Sequence, residues 1–156
     1  MKGPKKQKQH YVDNKELLAA VIRYKENVAI AEIQGKPKPK VSEYIGSCFL
    51  KIATHLSYRP NFINYIYKDD MICDGIENCI QYIDNFDPAK SKNPFAYFTQ
   101  IVYYAFLRRI AKEKRQLDIK EKILEKSGYD GVFSVDGDGG AEYNQIKSRI
   151  AINSKR

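Results

Sequence analysis

The chain has no tryptophan, only two histidines and only three cysteines among its 156 residues. Cys48, Cys73 and Cys79 form no Cys-x-x-Cys pair and fall inside apolar helical patterns, which fits buried free thiols in a reducing compartment better than metal ligands. With only His10 and His55, and His10 in a ragged basic leader, a zinc site or a His-based nucleophilic centre has little to work with. There is no Gly-rich phosphate loop, so no metal, no cofactor and no enzymatic activity are expected. No apolar run approaches the roughly 20 residues a membrane span needs. The leader MKGPKKQKQH carries charge without a following apolar stretch, unlike a secretory signal. A soluble, internal protein with no membrane partner is expected. No segment alternates apolar and polar residues as a strand does, and none repeats, which leaves an all-α architecture.

What the chain does have is a folding composition and an excess of positive charge. It is 43% hydrophobic with 12 Tyr and 7 Phe, ample for one core. Its 27 Lys and Arg against 19 Asp and Glu give a net charge of +8. That balance favours a polyanionic partner, because each phosphate neutralised releases condensed counterions, although a basic protein need not have such a ligand. The expected organisation is a basic leader over residues 1–10, a helical domain over 11–126, and a tail over 127–156 with a short helix at 143–152.

Asp13 and Glu16 make an Asp-x-x-Glu variant of the capping box, and Leu17, Val21, Tyr24, Val28 and Ala31 recur behind it at helical spacing. This first helix stops before Gly35, and the stiff basic connector KPKPK follows, a loop expected to tolerate variation. Ser42 offers a cap for a second helix with Tyr44, Ile45, Cys48, Phe49, Ile52, Ala53 and Leu56 on its apolar face. Residues 61–67 read as a packed loop or a short helical turn. Asp69 is the expected cap of a third helix reaching about Phe86. Along it Ile72, Ile76, Cys79 and Ile83 form an apolar stripe, while Asp70, Asp74, Glu77, Gln81 and Asp84 repeat on the opposite side. An acidic ridge on a basic protein results.

Asp87 and Pro88 break that helix, and Asn93 with Pro94 marks the start of the next, since proline at the first helical position loses no hydrogen bond. The pattern can persist to about Lys126, some 50 Å at 1.5 Å per residue, and residues 116–118 leave room for a bend or break. Phe95, Thr99, Val102, Phe106 and Ile110 mark the expected core face. Tyr97, Ile101, Tyr104, Arg108, Lys112 and Arg115 share another, edged by Gln100. Rings followed by cations suit nucleic acid that is unpaired at one end and duplex at the other. Half-buried tyrosines beside a solvated basic face would give the same pattern. In the tail, Asp136, Asp138 and Glu142 lack the spacing and glycine of a calcium loop.

The stretch from Asp70 to Arg115 resembles the second conserved region of bacterial sigma factors. Asp70, Asp74, Gly75, Phe86, Asp87, Tyr97, Thr99, Ala105, Arg108, Ile110 and Ala111 stand in the family's register without a gap. YVDNKELL at Tyr11, DGIE at Asp74, NFD at Asn85, KNPFAYFTQ at Lys92 and the RRIAKEKR run are similar to segments of the small late-transcription sigma factors of T-even-type bacteriophages. The resemblance spans roughly residues 11–115. It implies a transcription initiation factor, not an enzyme, acting in the cytoplasm of an infected bacterial host at its nucleoid. Its partners would be the host RNA polymerase core, through the coiled coil of the largest-subunit clamp, and promoter DNA, with a phage co-activator and a sliding clamp as further partners in the family.

The same resemblance assigns polymerase contact to Asp70, Asp74, Glu77, Asn78 and Gln81. It assigns DNA contact to Lys90, Lys92, Tyr97, Gln100, Ile101, Tyr104, Arg108, Lys112 and Arg115, with Tyr97 as a melting ring and Tyr104 at a base-pair-reading position on short TATA-like promoters. Gln100 and Ile101 stand where housekeeping members carry paired tryptophans, so the resemblance implies a wedge at the bubble edge that is smaller here or supplied differently. The chain leaves no room for the family's separate helix-turn-helix domain. The ending IKSRIAINSKR shows no hydrophobic-acidic motif of the kind that binds a sliding clamp. An autonomous basic nucleic-acid-binding protein and a polymerase-binding inhibitor are the other functions the pattern allows.

Overall fold

The computed structural model describes residues 10–127, and among them every regular element is helical. The helices are α1 (Asn14–Ile33), α2 (Glu43–Ser57), α3 (Lys68–Tyr82) and α4 (Pro94–Ser127), with a 3₁₀ turn at Ile83–Asn85. The all-α expectation holds. The chain divides into two compact units, Met1–Phe106 and Leu107–Arg156. The expected helix at 143–152 and the acidic residues 136–142 lie outside the described residues.

In the first unit, α1 starts where the sequence marks it. Asp13 is the cap, and its carboxylate accepts from the Lys15 and Glu16 amides at 2.8 and 3.3 Å. Glu16 accepts from the Tyr44 hydroxyl at 3.3 Å, tying α1 to the first turn of α2. The end of α1 is a Schellman motif. Gly35 has φ +64, its amide reaches the Glu32 carbonyl at 3.1 Å, and the Lys36 amide reaches that of Ala31 at 2.9 Å. Only glycine adopts that φ without strain, and the two bonds satisfy carbonyls the helix leaves open.

The connector that follows touches the 3₁₀ turn at one point. Lys38 pairs with the Asp84 carboxylate, and Lys25 of α1 donates to the carbonyls of Asp84, at 3.0 Å, and Phe86. These two lysines close the 3₁₀ turn from outside, which takes Asp84 out of the freely presented ridge.

Ser42 caps α2 by accepting from the Ile45 amide at 3.3 Å. Ile45, Cys48, Phe49, Ile52, Ala53 and Leu56 are buried as expected, whereas Tyr44 is exposed. Residues 59–65 make hydrogen-bonded turns rather than a helix, held down by the buried Phe62.

For α3 the expected cap is displaced. Tyr67 occupies that position with no side-chain bond, and Asp69 and Asp70 fall in the first turn, where their charge meets the positive helix end. The buried strip is Met71, Gly75 and Cys79, continuing to Ile83 in the 3₁₀ turn, whereas Ile72 and Ile76 are half-buried flanks. The reason is Gly75. A Cβ there would lie 3.0 Å from Val102 Cγ1 and 3.4 Å from Phe106 Cε1, so α4 crosses α3 against its bare backbone. The inward direction therefore runs through a residue with no apolar side chain to announce it.

The turn into α4 uses two asparagines. Asn93 Oδ1 accepts from the Ala96 amide at 3.1 Å, and Asn14 Oδ1, reaching across from α1, accepts from the Phe95 amide at 3.1 Å. Pro94 has no amide hydrogen to satisfy, so the opening donors of α4 are accounted for. Within the first unit α4 buries Phe98, Val102, Ala105 and Phe106, with Phe95 and Thr99 half-buried, so the core face is turned toward Phe98 relative to expectation. Phe98 stands 4.6 Å, ring to ring, from Phe49 and 6.2 Å from Phe86, and this aromatic centre joins α2, α4 and the end of the 3₁₀ turn. The Cys79 thiol donates to the Phe98 carbonyl at 3.8 Å, and burial pushes its pKa up to about 12.

In the second unit, residues 107–127 continue α4 as helix with no break at 116–118. Arg109 and Glu113 form an i, i+4 pair at 3.4 Å. Ile119 and Ile123 are exposed.

Candidate functional site

Two surfaces of the first unit carry the residues singled out in the sequence. On α3, the spacing of four, three and four residues puts Asp70, Asp74, Glu77 and Gln81 on the side away from Met71, Gly75 and Cys79. Asp70, Glu77 and Gln81 are exposed, and Asp74 and Asn78 are half-buried. Cys73 and Ile80, also exposed, flank them. The ridge is therefore two exposed carboxylates and an amide, narrower than the five residues proposed, and a partner for it would bring cations and hydrogen-bond donors. Cys73, expected to be buried, sits on this outer side because it lies two positions from the inward Met71 and Gly75.

The second surface begins at the turn before α4. Lys90 and Lys92 are exposed there, and Lys90 lies 3.9 Å from Asp87, a surface pair of little energetic weight. The Asp87 carboxylate also accepts from the Ala89 amide at 2.9 Å, holding the turn. On α4 itself, Gln100 and Tyr104 are exposed and Ile101 is half-buried. Tyr97 is held more firmly than a free stacking ring would be. Its hydroxyl donates to the Tyr82 carbonyl at 2.9 Å, its ring lies 5.2 Å from that of Phe86, and burial raises its pKa. Tyr97 thus couples the end of α3 to the first turn of α4, with its ring only partly available to a ligand.

Sequence spacing gave no reason to single out Tyr103, which the structure joins to Tyr104. Their rings meet edge to face at 5.8 Å, and Tyr103 in turn meets Phe62 of the loop after α2 at 5.7 Å. Tyr103 and Tyr104 are 37% and 49% exposed, so this flank of α4 offers aromatic surface wider than the single stripe read from the sequence.

Arg108, Lys112 and Arg115 lie in the second unit, where all three are exposed on α4. Their side chains alternate with the Arg109 and Glu113 pair along the helix.

A groove of about 460 Å3 runs between α1 and the connector, lined in part by Arg23, Tyr24, Lys40 and Tyr44. A smaller pocket of about 190 Å3 lies among Tyr11, His55, Arg59, Phe95 and Thr99. Among the described residues no cluster of three or more His, Cys, Asp or Glu is placed to hold a metal ion, and no helix is long and apolar enough to cross a membrane. No family model matches the chain, and no curated protein matches it.

Proposed function

We propose that this protein is a small sigma-type initiation factor, binding the host RNA polymerase core through α3 and engaging short TATA-like promoters through the exposed flank of α4. The observation that carries it is the exposed side of α3. Asp70, Glu77 and Gln81 are presented as a group on a protein of net charge +8, while the opposite side of the same helix is locked into the core. An acidic ridge left open to solvent suits a basic partner surface. The resemblance across residues 11–115 makes that partner the polymerase clamp.

Polymerase supplies the catalysis in this reading and the factor supplies binding energy. Gln100, Tyr103 and Tyr104 would hold bases as the duplex opens, offsetting an unstacking cost of a few kcal/mol per step. Lys90, Lys92, Arg108, Lys112 and Arg115 would neutralise phosphates. Run-off transcription with purified bacterial core polymerase on a TATA-bearing template tests it. Added protein should give a discrete transcript. Repression of background transcription without any new start would instead identify a polymerase inhibitor.

An autonomous nucleic-acid-binding protein is the alternative, favoured by the Tyr103 and Tyr104 pair, which is built without reference to any second protein. Tight, salt-sensitive binding to free DNA or RNA in the absence of polymerase would mark it.

A further inference from the structure

The second unit carries a face that the proposed function uses only in part. At about 3.6 residues per turn, Arg108, Lys112, Arg115, Ile119 and Ile123 fall on one side of α4. All five are exposed, Ile119 by 50% and Ile123 by 59%. The four carboxylates of this half-helix, Glu113, Asp118, Glu121 and Glu125, fall on its other sides. None of Arg108, Lys112 and Arg115 pairs with a carboxylate among the described residues. The face therefore has an order, three unpaired cations and then two isoleucines left in water. Phosphates would satisfy the cations and leave the isoleucines uncovered, so a ligand that matches the whole face is anionic at one end and apolar at the other.

The residues that follow α4, outside the described ones, have that composition in the matching order. Tyr129, Val132, Phe133 and Val135 come first, and Asp136, Asp138 and Glu142 come after them. From Gly128 to Gln145 there are four carboxylates and no Lys or Arg, a net charge of −4 in a chain of +8. Residues 107–127 hold eight Lys and Arg against four Asp and Glu, a net charge of +4 that this stretch would balance. A chain that turns back after Ser127 brings its apolar residues to Ile123 and Ile119 first and its carboxylates to Arg115, Lys112 and Arg108 next. Length permits it, because α4 rises about 28 Å from Arg108 to Ser127, whereas residues 128–142 can span up to about 50 Å when extended.

We propose that residues 129–142 dock antiparallel on this face of α4, with Phe133 and its apolar neighbours on Ile119 and Ile123 and with Asp136, Asp138 and Glu142 on Arg115, Lys112 and Arg108. The docked segment holds the same three cations that the proposed function gives to DNA phosphates, so this part of α4 takes up nucleic acid by exchanging one anion for another. The docking stands apart from that function, whereas the exchange rests on nucleic acid being a ligand of this chain.

The test uses the full-length protein with Cys73→Ser, so that a nitroxide can be placed on Ser134→Cys or on Ala141→Cys while the buried Cys48 and Cys79 stay unlabelled. The label at 134 should broaden the amide signals around Ile119 most, and the label at 141 those around Arg108. The second effect should fade in about 1 M salt, where the Debye length is roughly 3 Å. Broadening that instead declines steadily away from Ser127 with either label is that of an undocked tether, and overturns the proposal. The exchange is read by the anisotropy of a fluorescent duplex added to the protein alone and loaded on core polymerase. Val132→Ser combined with Phe133→Ser leaves every charge in place, yet should tighten duplex binding roughly threefold, and Asp136→Asn, Asp138→Asn and Glu142→Gln together should tighten it about tenfold. If the charge-preserving pair leaves affinity unchanged, the carboxylates act as general charge and the exchange is overturned. If the duplex binds in neither state of any variant, the nucleic-acid function falls, and the two labels still decide the docking.

Discussion

The hydroxyl of Tyr97 donates to the backbone carbonyl of Tyr82 across 2.9 Å, so the residue that the resemblance assigns as a melting ring is also a strut between two helices. Tyr82 ends α3, where carbonyls lack helical partners, and Tyr97 lies in the opening turn of α4. The bond therefore fixes the geometry of the connection between them.

Tyr97→Phe should keep the packing on Phe86 and lose only this bond, costing about 1 kcal/mol of stability in urea unfolding. Promoter opening should change little, because the hydroxyl points to Tyr82. Tyr104→Ala should be the reverse, with stability within about 0.5 kcal/mol of the parent and weakened opening measured by permanganate reactivity of thymines. Equal damage from both substitutions would contradict the division of labour between the two rings.

Asp70→Lys combined with Glu77→Lys should abolish co-purification with core polymerase. Both side chains are exposed; Asp70 lies in the first turn of α3, so reversing its charge should cost up to about 1 kcal/mol, a few degrees of melting temperature, and leave the fold intact. Asp74 is better left alone in this test, because it is half-buried and engaged with its surroundings. Polymerase binding that persists in the double variant would remove the ridge from the proposed interface.

Gly75→Ala places a methyl group 3.0 Å from Val102 Cγ1, a squeeze that opposes the gain of about 1 kcal/mol that alanine ordinarily brings to a helix interior. The substitution should be close to neutral in the parent protein. In a Val102→Ala background the new methyl group enters vacated space, and the same change should stabilise. A double-mutant cycle by chemical denaturation should return a coupling on the order of 1 kcal/mol, and additivity would mean the two helices do not touch there.

Of the three thiols, Cys73 should react promptly with an aromatic disulfide at pH 8, while Cys48 and Cys79 should react only as fast as the protein opens. Burial raises the Cys79 pKa from 9.0 to about 12. The folded form therefore holds its proton where the unfolded chain has lost it. The stability tied to that proton is fully present below pH 9 and drains away as pH climbs toward 12. Denaturation midpoints between pH 9 and 11 should fall in the parent and flatten in Cys79→Ala, whose own stability is lower throughout.

What could be read from the sequence was what is local. Asp13, Ser42, Asn93 and Pro94 mark helix starts because capping is satisfied within three residues, and Gly35 marks an end for the same reason. The inward faces of α3 and α4 were each read slightly rotated, because apolar side chains were counted and the closest approach uses Gly75, which has none. The ridge was placed correctly in direction, but the burial of Asp74 and Asn78 depends on neighbours that no spacing reveals. The Tyr11 and His55 stack, the Asn14 cap on α4 and the lysines closing the 3₁₀ turn join residues 44 or more positions apart, and periodicity is blind to all of them.

Because α3 and α4 interlock at Gly75 and Val102, neither helix can slide along the other without driving a side chain into backbone. The nearest alternative register is a full turn away, about 5.4 Å. The first unit is in that respect a gauge block: whatever is gripped by Asp70, Glu77 and Gln81 is held at a set spacing from whatever rests on Tyr103 and Tyr104.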